Sequence, residues 1–121
     1  MSKIGSISIV LLLGICVLIF RPVPIVTESE ALIVKGVVTQ ISEGGTNDIV
    51  FRLKDNNTRY YINRGLELGL TLENLRTQLI DHEVTLKYPS YWTPLDWNNS
   101  IRHISKVEFG NEVLFNELRS S

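Results

Sequence analysis

The chain has 121 residues, of which 44% are hydrophobic, with twelve Lys and Arg against thirteen Asp and Glu. This composition fits one domain plus an added apolar segment. Beyond Arg21 the balance is ten basic against thirteen acidic residues, a formal charge of about −3, and the basic surface that a nucleic-acid binder normally carries is missing. The single cysteine excludes an intramolecular disulfide.

The first 21 residues predict a membrane anchor. Residues 4–20 carry no charge, and Lys3 and Arg21 bound them. As a helix they would be about 25 Å long, and the two flanking basic side chains can reach the lipid headgroups. The alternatives are a cleaved signal peptide, which the long run and the missing small-x-small site disfavour, and a buried core helix. Lipidation of Cys16 is a further alternative, although Ile15 stands where a lipidation motif has a small residue.

The predicted organisation is an anchor at 1–21, a linker at 22–30 and a folded domain at 31–121. Pro22 and Pro24 stiffen the linker. A short tail before the anchor and a domain after it favour a single-pass membrane protein whose C-terminal domain lies outside the cytoplasm.

Alternation of apolar and polar residues predicts strands at 31–41, 48–54, 59–65, 83–88, 103–109 and 112–115. Apolar residues occupy both faces of the first strand around Gly36, where we expect a bend or bulge. Turns at 42–47, 55–57 and 110–111 contain the Gly and Asn residues that tight turns favour.

The strand at 59–65, the helix that follows it and the strand at 83–88 form the centre of the predicted domain. Tyr60 and Ile62 share one face of the strand, and the other face carries Arg59, Tyr61 and Asn63.

The helix is predicted at 71–80. Thr71 can cap its first turn, and Leu72, Leu75 and Leu79 form one apolar stripe. A helix this short does not persist alone in water, so burial of the stripe must stabilise it.

The order of elements in residues 31–115 is three strands, a helix and two or three further strands, and it resembles the OB-fold. The resemblance implies a mainly β domain, an OB-fold-like β-barrel with a C-terminal hairpin, preceded here by one N-terminal transmembrane helix. The segments Tyr61-Ile62-Asn63-Arg64-Gly65 and Trp92-Thr93-Pro94-Leu95-Asp96 also resemble stretches of uncharacterised bacterial membrane-anchored proteins, which carry no known chemistry.

No motif of a known reaction occurs in the chain. His82 and His103 lack the spacing of a metal site, and no nucleophile elbow or glycine-rich phosphate loop is present. We therefore expect no cofactor, no metal ion and no enzymatic activity. A hydrolase that uses His103 with Asp96 is the alternative.

Two places in the sequence combine the residue types of binding hot spots, aromatic rings and arginine. One is the predicted strand end with Arg64, and the other is the loop at 90–100 with its two tryptophans. A structural interpretation competes, in which the tryptophans close one mouth of the barrel and Arg64 pairs with Glu67. The candidate binding residues are Asn63, Arg64, Glu67, Tyr91, Trp92, Asp96, Trp97 and His103.

The predicted function is a membrane-anchored, extracytoplasmic and non-enzymatic module that binds a protein or another component of the cell envelope. OB barrels with exposed aromatic side chains also bind oligosaccharides or single-stranded nucleic acids. Binding of an oligosaccharide or of a single-stranded nucleic acid is therefore the alternative, and the acidic charge disfavours nucleic acid.

Overall fold

The computed structural model of the chain describes residues 11–13, 23–90 and 100–119. Two helical segments, a 3-10 helix at Gly65–Leu68 and α1 at Leu72–Leu79, lie between the third and fourth strands. The strands of the described ranges are β1 (Leu32–Gly44), β2 (Asp48–Leu53), β3 (Arg59–Ile62), β4 (Glu83–Tyr88), β5 (Ile101–His103), β6 (Lys106–Phe109) and β7 (Glu112–Asn116). The domain is thus mainly β, as the alternating pattern predicted.

The strands form one sheet in the order β5-β3-β2-β1-β4-β6-β7. The long strand β1 serves both halves of this sheet, because its residues 32–37 pair with β4 and its residues 38–44 pair with β2. All of these pairings are antiparallel except the one between β3 and β5.

Strand pairing does not close the sheet into the predicted barrel. In the described ranges β5 and β7 are the two end strands, and no ladder joins them. The physical reason is that the strand predicted at 103–109 changes its hydrogen-bonding partner from β3 to β4 between Ile104 and Ser105. Ile104 donates its N–H to the Tyr61 carbonyl of β3 at 2.8 Å, and the next residue, Ser105, donates to the Lys87 carbonyl of β4 at 2.7 Å. The predicted strand is therefore divided, so that β5 pairs with β3 and β6 pairs with β4.

The irregularity expected at Gly36 lies instead at Thr39. The register with β2 shifts between Val38 and Gln40, so Thr39 is the extra residue of a bulge. Glycine at position 36 has a different role, since a Cβ there would lie 3.1 Å from Leu53 Cδ1. This glycine allows β1 and the end of β2 to approach closely.

The helix α1 forms as its sequence predicted. Thr71 caps it by accepting a hydrogen bond from the Asn74 N–H at 3.2 Å. Leu75 and Leu79 are buried and Leu72 packs half-buried against the same core. Arg76 donates from Nε to the Ile41 carbonyl at 2.7 Å, which fastens the helix to β1.

The core is continuous and almost entirely aliphatic. Helix α1 covers one side of it, and inward side chains of the strands supply the rest. Its buried members are Val38, Ile41, Ile49, Phe51, Leu53, Tyr60, Ile62, Leu75, Leu79, Val84, Leu86, Ile104 and Val107.

The predicted strand at 59–65 ends at Ile62, and a 3-10 helix that the sequence pattern did not indicate begins at Gly65. Arg64 takes the left-handed conformation, with φ of 52°, and Gly65 is buried. A Cβ at Gly65 would lie 2.6 Å from Ile49 Cδ1 and 3.1 Å from Ile62 Cγ2. Only glycine fits here without displacing core side chains.

Replacing Gly65 by alanine is therefore expected to lower the free energy of unfolding by about 1 to 3 kcal/mol, the usual cost of overpacking. Urea unfolding followed by circular dichroism measures this loss. Glu67→Ala on the same 3-10 helix is the control, because Glu67 is exposed and its loss should cost less than about 0.5 kcal/mol. Equal unfolding midpoints for Gly65→Ala and the wild type would contradict the crowding argument.

The predicted anchor at 1–21 lies almost entirely outside the described residues, of which 11–13 are helical. Across the ranges that the structure describes, no helix combines the length and apolar character needed to cross a bilayer.

The segment 23–31, most of which the sequence assigned to a linker, contacts the body of the domain. Arg119 donates its N–H to the Val26 carbonyl at 2.9 Å, and Thr27 forms a parallel bridge with Arg119. Glu30 accepts hydrogen bonds from the backbone and hydroxyl of Thr27. The two ends of the domain therefore lie side by side.

Candidate binding site

The outer face of β3 is where polar and aromatic side chains converge. Tyr60 and Ile62 point into the core, so the alternate residues of the strand face outward. In the strand register Tyr61 lies between Val50 of β2 and His103 of β5. Tyr61 is thus at the centre of the outer surface formed by β2, β3 and β5.

A cleft of about 320 Å³, hereafter the first cleft, lies on one side of Tyr61. The turn between β1 and β2 forms one wall of it, and β3 and β5 form the other. Its lining residues are Gly44, Gly45, Asp48, Val50, Arg59, Tyr61, Asn63 and Ile101.

Local geometry keeps the first cleft open and polar. A Cβ at Gly44 would lie 2.7 Å from Val50 Cγ2, so the turn passes closer to β2 than another residue would allow. Asp48 is held at the wall because its Oδ1 accepts the Arg64 N–H at 2.8 Å. This contact leaves the second carboxylate oxygen of Asp48 without a partner among the described residues.

Two side chains of the first cleft have unused hydrogen-bonding capacity. Arg59 is exposed on β3, and its guanidinium makes no ion pair with any residue in the described ranges. The Asn63 amide, also exposed, has no hydrogen bond to another described residue. A guanidinium offers five donors, and an amide offers two donors and an acceptor. Both are available to a ligand.

A second cleft, also of about 320 Å³, lies on the other side of Tyr61. Its lining residues are Val23, Pro24, Ile25, Tyr61, Asn63, His103 and Glu117. Nε2 of His103 contacts Oε1 of Glu117, and the Tyr61 and His103 rings meet edge to face with their centroids 5.3 Å apart. Nδ1 of His103 is buried and has no partner in the described part of the chain. An N–H at Nε2 of His103 can donate to the Glu117 carboxylate.

The structure brings together some of the predicted site residues and separates others. Asn63 lines both clefts and His103 lines the second. Arg64 and Glu67 lie outside both clefts and form an exposed ion pair, Nε to Oε2 at 3.7 Å, as the structural interpretation expected. The remaining candidates, Tyr91, Trp92, Asp96 and Trp97, lie outside the described residues.

Some of the cleft residues that were not predicted carry a recognisable pattern in the sequence, and others do not. The alternation along β3 already placed Arg59 and Tyr61 on the same face as Asn63, so both could have been chosen from the pattern. Nothing in the sequence marks Glu117, whose partner His103 lies 14 positions earlier. No trio of His, Cys, Asp or Glu side chains suited to a metal ion occurs in the described ranges.

Four charged side chains fasten the segment before β1 to the outer face of β4 and β6. Glu28 accepts hydrogen bonds from Lys87 and, at 3.1 Å, from Lys106. Glu108 lies 3.2 Å from the Lys87 ammonium and 3.0 Å from that of Lys106. We call these four residues the charged clasp. It holds in place the segment whose residues 23–25 line the second cleft.

The clasp shifts the pKa of all its members in the direction that favours charge. Hydrogen bonding from Lys87 and Lys106 lowers the pKa of Glu28, and hydrogen bonding from Lys106 lowers that of Glu108, from the ordinary 4.5. The hydrogen bond to Glu28 raises the pKa of Lys87, and the one to Glu108 raises that of Lys106. The charged forms are therefore preferred in the folded state.

These shifts predict how stability depends on pH. Because the two glutamate pKa values are lower in the folded state, their contribution is fully present above the ordinary value of 4.5 and is lost as the pH falls through the lowered values. The lysine contribution is present below pH 10.5 and is lost as the pH rises through the raised pKa values.

The urea midpoint should therefore fall on acidification from about pH 5 to about pH 3, and Glu108→Gln should reduce this fall. Glu73→Gln, at an exposed position of α1, is the control, and an identical acid profile for Glu108→Gln and the wild type would contradict the prediction.

Neither the models of known protein families nor the curated protein sequences match this chain.

Proposed function

We propose that this chain is a membrane-tethered, extracytoplasmic and non-enzymatic module that binds an oligosaccharide in the first cleft. The observation that carries the proposal is the half-buried Tyr61 ring bordered by two exposed polar side chains, Arg59 and Asn63, that have no partner among the described residues. The cleft volume of about 320 Å³ lies within the usual range for small-ligand sites.

The chemistry of the first cleft matches that of a sugar. A pyranose ring has an apolar face and a rim of hydroxyl groups that both donate and accept hydrogen bonds. Tyr61 offers an aromatic surface for the apolar face. Arg59 supplies donors, Asp48 supplies an acceptor, and Asn63 supplies both. A mixture of donors and acceptors around one ring is the arrangement that such a ligand requires.

Two other classes of ligand fit less well. A single-stranded nucleic acid needs a basic channel, whereas the first cleft pairs one arginine with one aspartate and the domain has an acidic balance. A stable protein partner needs about 800 Å² of surface on each side, and the unpartnered polar groups described above gather in a small concave site. A short polymer therefore fits better than either.

The strand arrangement supports an OB-like domain within this proposal. β1 pairs with both β2 and β4, the helix lies between β3 and β4, and β5 runs parallel to β3. At Ile104 and Ser105 the chain passes from the β3 side of the sheet to the β4 side. In OB domains the outer face of the second and third strands carries the ligand, and the first cleft lies on that face. The apolar run at residues 4–20 supplies the tether.

Titration calorimetry on the full-length chain in a mild detergent tests the proposal. The probes are cello-oligosaccharides and chito-oligosaccharides, which differ in their acetamido groups. We expect one series to bind, and we expect Arg59→Met to weaken it about tenfold, as the loss of hydrogen bonds from a charged donor implies. Lys54→Met removes an exposed charge outside the cleft and is the matched control. Absence of binding by both series, or equal affinity of Arg59→Met and the wild type, would overturn the proposal.

A further inference from the structure

We infer that the second cleft is a second subsite for the same ligand, so that the ligand is a chain that crosses Tyr61 and occupies both clefts. This inference rests on the proposed function, since it extends the first cleft. It assigns a binding role to Glu117 and to residues 23–25, which precede the first strand.

The two clefts are neighbours with a common border. Tyr61 and Asn63 line both of them, and the clefts have similar volumes of about 320 Å³. A ligand confined to one cleft would leave the other cleft empty. A linear polymer whose units repeat the same chemistry can extend past Tyr61 from one cleft into the other.

The second cleft offers the same two kinds of contact as the first. Glu117 is held through Oε1 by His103 Nε2, and its side chain is 38% exposed, so its second oxygen can accept a hydrogen bond from a hydroxyl group. The Asn63 amide, which makes no hydrogen bond to a described residue, reaches this cleft too. The opposite wall is apolar, and Ile25 on it is 65% exposed. An acceptor facing an exposed apolar side chain suits the units of a longer oligomer that extend beyond the first cleft.

The apolar wall depends on how residues 23–31 are held. The hydrogen bond from Arg119 to the Val26 carbonyl and the contact of Glu28 with Lys87 and Lys106 place this segment against the sheet. The second subsite is therefore completed by the part of the chain that leads to the predicted anchor. A chain bound across Tyr61 would run towards that end of the domain.

The test is a length series. The full-length chain in mild detergent is titrated with oligomers of two to six units from the series that binds. For the wild type we expect affinity to rise by about tenfold or more from the shortest to the longest oligomer, since the second subsite adds hydrogen bonds and apolar contact. Glu117→Gln should abolish most of this rise and leave binding of the dimer unchanged. Ile25→Ser, which alters an exposed side chain outside the core, should do the same.

The controls separate this inference from the proposed function. Arg59→Met should weaken oligomers of every length, because it acts in the first cleft, and Glu73→Gln should change none of them. If the wild type binds the dimer and the hexamer equally while Arg59→Met weakens both, the second subsite is overturned and the proposed function stands. If Glu117→Gln and Ile25→Ser, with unfolding midpoints like the wild type, both keep the full rise with length, the second subsite is likewise overturned. If no oligomer binds the wild type, both proposals fall.

Discussion

Replacing Leu79 by alanine is expected to lower the free energy of unfolding by about 2 to 5 kcal/mol, the range for leucine truncation in a core. Leu79 has no solvent-exposed surface and lies at the end of α1, where it closes the core. Its removal leaves a cavity that the sheet beneath cannot fill without moving. The helix has only eight residues, so it depends on such burial for its own stability. Urea unfolding monitored at a helix-sensitive wavelength measures the loss.

Two variants show whether burial is the cause. Leu68→Ala removes the same atoms from a side chain that is 58% exposed, and it should cost less than about 0.5 kcal/mol. Leu79→Met nearly conserves volume and should cost less than about 1.5 kcal/mol. Similar losses for Leu79→Ala and Leu68→Ala would show that α1 does not close the core.

Replacing Tyr61 by alanine is expected to weaken oligosaccharide binding by about 30-fold or more, the effect of losing a hot-spot aromatic side chain. No other substitution on the outer face should have a larger effect, because the Tyr61 ring borders both clefts and contacts the His103 ring. Its loss removes the aromatic surface from each subsite at once. The length series described above measures the change for short and long oligomers, and both should be affected.

Tyr61→Phe is the matched variant. It keeps the ring and removes the hydroxyl, so we expect it to weaken binding only a few-fold. Because Tyr61 is half-buried, the unfolding midpoint of each variant must be measured alongside its affinity. If folded Tyr61→Ala bound the probes as tightly as the wild type, neither cleft could be the binding site.

The elements that the sequence predicted correctly are those with a local signal. Alternation over a few residues placed Tyr60 and Ile62 in the core, and the Thr71 hydroxyl caps α1 as its position before the leucine stripe indicated. The turn predicted at 110–111 joins β6 to β7. Each of these features depends on residues within about one helical turn or one hairpin.

The candidate site was only partly accessible from the sequence. Asn63 and His103 line the clefts, but Arg64 does not, because the strand ends at Ile62 and Arg64 takes a left-handed φ of 52°. Beyond the end of a strand the alternation of faces no longer applies. The outward position of a residue after a strand depends on the turn that follows, and here a buried glycine sets that turn.

By itself the sequence indicated most of the strands, the helix and the shared face of Tyr60 and Ile62, since period and capping are properties of neighbouring residues. Tertiary structure alone decided that β3 pairs with β5, that His103 meets Glu117, and that residues 23–25 border a cleft. These contacts join residues that are far apart in the chain. Their formation depends on how loops close and on how the whole core packs, and no periodic pattern in a short window records it.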